Sequence, residues 1–111
     1  MADNNSQFTL SREAKYKYLD SLVGRTHKIL HLIEEEEETG YSPLPFLCSQ
    51  IIEINTANIL FNGELVDVII KLNVIYNNYK TMSFNECKRQ IHEITKIIKS
   101  MKKGLETAPV K

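Results

Sequence analysis

The sequence predicts an all-α protein, a small antiparallel bundle of four helices in up-down order. Apolar residues recur at steps of three and four along four segments, the spacing that lines one face of a helix. Gly40 with Pro43 and Pro45, then Asn62-Gly63, then Lys80-Thr81-Met82 interrupt those segments. Connections this short fold successive helices back on one another. At 111 residues the chain has the length of one domain, able to bury roughly 65% of its unfolded surface without disulfide or metal staples.

The first helix is expected over 12–38. Ser11 is its N-cap, because a serine hydroxyl can accept an unpaired first-turn amide. Wound at 100° per residue, Leu19, Leu22, Val23, Thr26, Ile29, Leu30 and Ile33 share one arc. Gly24 faces away from it and costs about 1 kcal/mol relative to alanine, so a mild kink is expected there. Gly40 closes the helix at a C′ position.

Proline is tolerated in a first helical turn and nowhere later, so the second helix starts at Pro43 or Pro45 and covers 44–62. The third is expected over 64–79, with Asn62 as its cap. An alternative is that the two are one bent rod, although Asn-Gly more often breaks a helix. The fourth, 84–103, opens on Ser83-Phe84-Asn85-Glu86, the pattern of a capping box. Cys87, Ile91, Ile94, Ile98, Met101 and Leu105 then alternate steps of four and three, a coiled-coil-like seam. Gly104 is expected to end this helix. The domain is thus read as 12–104, between a disordered segment 1–11 and a frayed tail 105–111.

Hydrophobic residues at 42% and charged residues at 25% exclude a disordered composition. Fourteen basic and fourteen acidic residues cancel, which argues against nucleic-acid or anionic-membrane binding by the protein as a whole. No apolar run approaches the ~18 residues of a membrane span, and residues 1–11 lack the apolar core of a secretory signal. A cytoplasmic protein is expected, and Cys48 and Cys87 form no CxxC pair. Abundant Ile, Asn and Lys beside scarce Arg and Ala suggest an AT-rich bacterial or phage genome.

His27, His31 and Glu34 at i, i+4 and i+7 have the residue types and spacing of metal ligands. The helical wheel turns both histidines outward, which favours solvated side chains over a metal site. Asn55, Asn58 and Asn62 form a polar stripe on the apolar arc of helix two, with Asn73 on helix three as a candidate partner. Each amide needs hydrogen bonds if buried. The stripe is therefore either a satisfied structural network or the wall of a small-ligand pocket. Cys87 on the core face and His92 on the outer face of helix four cannot form a nucleophile–base pair. No glycine-rich phosphate loop occurs. Neither a catalytic constellation nor a cofactor is expected.

Helix three carries the widest apolar arc. Leu65, Val66, Ile69, Leu72 and Tyr76 define its expected core face, while Val68, Ile70, Val74 and Ile75 extend apolar character round both flanks. In a four-helix bundle no helix is surrounded, so those four are assigned to an interaction face. The expected function is non-enzymatic protein–protein interaction, as a regulator, adaptor or immunity-type bundle, with a homodimer as the first candidate. The alternatives are a ligand- or metal-binding bundle using Asn55 and Asn58 or His27 and His31, and a weak nucleic-acid binder through the basic fourth helix, which with the tail nets +4 over residues 84–111.

Overall fold

Ser11 opens the first helix by side-chain capping. In the computed structural model, which describes residues 10–107, its backbone is extended and its hydroxyl accepts the Ala14 amide at 3.1 Å. One of the donors that every helix start leaves unpaired is thereby satisfied. Helix α1 (Arg12–Thr39) then continues through Gly24 without a break. It closes at Gly40, whose φ of 76° is a conformation glycine adopts freely and whose amide donates to the Glu36 carbonyl at 2.8 Å.

Helix α2 (Leu44–Leu60) starts behind Pro43, with Pro45 in its first turn where the missing amide hydrogen costs nothing. Its end is a Schellman motif. The Asn62 amide donates to Ile59 O and the Gly63 amide to Asn58 O, with φ values of 54° and 84° at residues 62 and 63. Asn-Gly is the pair best suited to consecutive left-handed residues. The turn therefore takes up residues 61–65. Helix two ends at Leu60 rather than 62, and α3 (Val66–Asn78) begins two residues later than 64. The two helices are separate, not one bent rod. Nor does Asn62 cap α3; Asn58 does that work from α2, its Oδ1 accepting the Leu65 amide at 2.8 Å.

Helix α4 (Phe84–Thr107) starts at Ser83, whose hydroxyl accepts the Glu86 amide at 3.1 Å. Only that half of the expected capping box appears, since the Glu86 carboxylate turns forward to Arg89 and Gln90. Gly104 does not end the helix. Leu105 packs against the core and Glu106 accepts a hydrogen bond from the Tyr16 hydroxyl at 2.7 Å, so tertiary contacts carry the helix past glycine's poor propensity. The expected tail from 105 is thus helical to Thr107, and 108–111 lie outside the described residues. So do residues 1–9 of the expected N-terminal segment. Leu10 packs against the core and Ser11 is the cap.

The molecule is an all-α bundle of four helices among the described residues, with no strand among them. Tyr16 with Glu106 and Lys102 with Asp20 (2.7 Å) fix α4 antiparallel to α1. Tyr18 with Glu53 (3.0 Å) and Arg25 with Gln50 (3.0 Å) do the same for α2. Helix α3 packs on α2 and α4. At 1.5 Å per residue, α1 and α4 are about 42 and 36 Å long while α2 and α3 are only about 25 and 20 Å, giving an elongated shape of 53 × 27 × 20 Å. The core is continuous through Leu19, Leu22 and Ile29, Leu47, Ile54 and Phe61, Leu72 and Ile75, and the α4 seam at Cys87, Ile91, Ile94 and Ile98. Two threonines sit within it. The hydroxyls of Thr26 and Thr95 donate to Leu22 O and Ile91 O, so neither is left unpaired.

Two expected results follow at the start of α4. Ser83→Ala should lower stability by about 0.5–2 kcal/mol, read from the urea midpoint; an unchanged midpoint would show that the cap contributes nothing. Arg89 beside it, helped by Gln90, holds the Glu86 carboxyl down to about 2. A depressed carboxylate contributes stability above its ordinary pKa and loses it as pH falls through the folded value. The contribution should be small, because the pair is exposed and screened by solvent. Carboxyl-carbon NMR should find Glu86 ionised down to about pH 2 and returned toward 4.5 in Arg89→Ala; titration near 4.5 in the wild type would refute the pairing.

Candidate functional site

Helix α3 buries one well-defined face despite being apolar almost all round. Leu65, Val68, Leu72, Ile75 and Tyr79 point into the core, at alternating steps of three and four. This corrects the expected interaction face. Val68 and Ile75 are both 0% exposed and belong to the core, because the helix is turned toward them and away from Val66. Ile70 and Val74 do face outward, and Val66 joins them. The three form an i, i+4, i+8 stripe along the solvent side of α3.

Two further apolar side chains are exposed on α2. Ile52 and Ile59, at i and i+7 on α2, are 63% and 72% exposed. Helices α2 and α3 are antiparallel neighbours joined by the turn at 61–65, so Ile59 lies near the level of Val66 and Ile52 near that of Val74. Five of the seven large hydrophobic side chains exposed among the described residues therefore belong to this one hairpin, the others being Tyr41 and Phe84. Charge is scarce there as well. Residues 44–78 carry only Glu53, Glu64, Asp67 and Lys71, while the protein has 28 charged residues in all. Glu53 is occupied across the α1–α2 contact, accepting from Arg25 and from the Tyr18 hydroxyl. Burial and Glu53 push that hydroxyl up to about 12, whereas Arg25 keeps Glu53 below the ordinary carboxylate range. An apolar centre poor in charge is the composition of an interface core.

Ile52, Ile59 and Val66 are the surface residues that the helical periods do not single out. The scarcity of charge across 44–78 is the sequence signal that marks their hairpin.

The other candidates resolve locally. His27 and His31 are both exposed on α1, and His31 Nδ1 comes no closer than 4.0 Å to Glu34 Oε1. No three His, Cys, Asp or Glu side chains among the described residues are placed to hold a metal ion. The asparagine stripe is not assembled into a pocket. Asn55 is exposed and donates to Ile51 O on its own helix. Asn73, the expected partner, donates likewise to Ile69 O, while Asn58 and Asn62 build the α2–α3 turn. Cys48 and Cys87 are free thiols. Burial, then the neighbouring Glu86, raises the Cys87 thiol, and His92 lies on the exposed side of α4.

Two concavities mark the ends of the bundle. A cavity of about 370 Å³ lies between Lys15, Leu19 and Phe61 on one side and Met101, Gly104 and Leu105 on the other. At the opposite end is an open cleft of about 590 Å³, between the last turns of α1 and the start of α4. Tyr79 stands in its wall and donates its hydroxyl to Glu36, at 3.1 Å to the nearer oxygen. Burial, and after it Glu36, raises the pKa of that hydroxyl against an opposing contact from Ser42.

No helix among the described residues is long and apolar enough to cross a membrane. Comparison with protein-family models, with curated proteins and with solved structures finds no match.

Proposed function

We propose that this protein is a non-enzymatic helical interaction module that pairs with a second copy of itself through the outward face of the α2–α3 hairpin. The supporting observation is that Ile52, Ile59, Val66, Ile70 and Val74, five of the seven large hydrophobic side chains exposed among the described residues, all belong to that hairpin. Burying such side chains contributes roughly 25 cal/mol per Å² removed from water, and soluble monomers seldom leave them in one patch. The longer helices α1 and α4 hold most of the charge.

Size argues for a reversible dimer. Helices about 20–25 Å long, set 8–10 Å apart, offer a face of roughly 500 Å². Two copies then bury roughly 1,000 Å² in all, near the lower bound for a specific interface. A two-fold arrangement brings the same residues together from both copies. The free thiols Cys48 and Cys87 are compatible with the cytoplasmic location that belongs to this reading.

The test is light scattering behind size exclusion, on the wild type and on Ile70→Lys. The wild type should shift from monomer to dimer mass with loading concentration. Ile70→Lys should remain monomeric with an unchanged melting temperature. A wild type that elutes as a monomer at every loading overturns self-pairing.

A further inference from the structure

The cleft between the end of α1 and the start of α4 has an apolar floor and an acidic rim. Ile33, Met82, Phe84 and Cys87 line the floor. Phe84 is 39% exposed, an aromatic ring kept in water at the first position of its helix. Glu34, Glu36 and Glu37 stand along one edge, and Lys80 is the cation among the residues lining the cleft.

The rim works against the helix that carries it. Glu34 to Glu38 occupy the C-terminal turns of α1, whose last turn holds no basic residue. A helix C-terminus already has the negative end of the macrodipole, and a carboxylate there is unfavourable. Glu34 and Glu38 also repel at i, i+4. Tyr79 offsets part of this cost at Glu36, while Glu37 lies exposed on the rim, and a local cost of this kind is found at residues kept for a partner. Three of these carboxylates, Glu34, Glu36 and Glu37, and the end of the helix border an opening whose floor offers hydrophobic contact.

We propose that this cleft docks a basic amphipathic segment of a partner protein. An apolar side chain of that segment enters between Ile33, Met82 and Phe84, while flanking lysines or arginines meet Glu34 and Glu37. The Phe84 ring face adds a cation–π site beside them. A metal ion does not fit the same place, because no three ligating side chains converge there among the described residues. The cleft lies apart from the α2–α3 face, so docking does not depend on self-pairing.

The probe is a synthetic helical peptide about four turns long, with leucines along one face and lysines elsewhere. A matched peptide with glutamate in place of lysine is the control. Binding is followed by NMR on isotope-labelled protein carrying Ile70→Lys, which removes the dimer from the measurement. The lysine peptide should shift the signals of Ile33, Met82 and Phe84, and the glutamate peptide should not. Glu34→Gln with Glu37→Gln should weaken binding about tenfold, as should raising the salt, because exposed charges are screened. Phe84→Ala should weaken it by a similar factor with no change in charge. Both variants alter exposed side chains, and circular dichroism checks that they stay folded. Absence of binding, shifts confined to Ile52 and Val66, or binding insensitive to Phe84→Ala would each overturn the proposal.

Discussion

Val68→Lys is expected to unfold the domain, while Ile70→Lys, two residues along the same helix, should leave its stability nearly unchanged. Val68 is 0% exposed and packs in the core with Leu72 and Ile75. An ammonium group placed there has no carboxylate partner, and burying an unpaired charge costs several kcal/mol even after relaxation. Domains of this size have only about 5–15 kcal/mol in total. Ile70 is 54% exposed, so its lysine stays in water and the change should fall within about 0.5 kcal/mol. Urea denaturation of the two variants side by side checks the contrast. Equal destabilisation would mean that α3 buries a different face.

Phe61→Ala should cost about 3–5 kcal/mol, the range for deleting a buried phenylalanine. Phe61 is among the largest fully buried side chains and closes the core where α2 turns into α3. Its ring lies 5.6 Å from that of Tyr18, tilted by 48°, and the Lys15 ammonium sits 5.7 Å from its centroid. These contacts join the turn to α1. The residue also lines the 370 Å³ end cavity, so truncation would enlarge an existing gap that the neighbouring helices do not already fill. The cost should therefore fall in the upper part of the range. Phe61→Leu should recover much of it, since it keeps most of the buried volume. A loss below about 1 kcal/mol for Phe61→Ala would show that the turn is loosely held.

Helix ends were the most legible part of the fold. Ser11, Gly40 and Ser83 each act through the chemistry of one residue on backbone groups three or four positions away. Local sequence carries that information. Gly104 misled for the converse reason, because Leu105 and Glu106 are held by α1, some ninety positions away in the chain, and not by local propensity.

The face of α3 could not be read from its period. Valine, leucine or isoleucine fills seven of its thirteen positions, and the polar strip of Asp67, Lys71 and Asn78 is too narrow to mark the direction of solvent. Only packing against α2 and α4 decides that Val68 and Ile75 turn inward while Ile70 and Val74 do not. Counting charge along the chain would have located the hairpin, though not the individual side chains. The asparagines are satisfied by a simpler rule. Asn55 and Asn73 pair with carbonyls four residues back on their own helices, which needs no network. The acid-rimmed cleft joins residues near 35 to residues near 84, and the Arg25–Glu53–Tyr18 cluster spans two helices. No local pattern announces such juxtapositions.

The most direct test of the outward α2–α3 face as an interface is sedimentation velocity of the wild type from about 1 to 300 μM, a span covering weak to moderate affinities. Self-pairing predicts a sedimenting mass that climbs from 12.8 kDa toward twice that value as concentration rises. A mass that stays at 12.8 kDa across the whole range would contradict it.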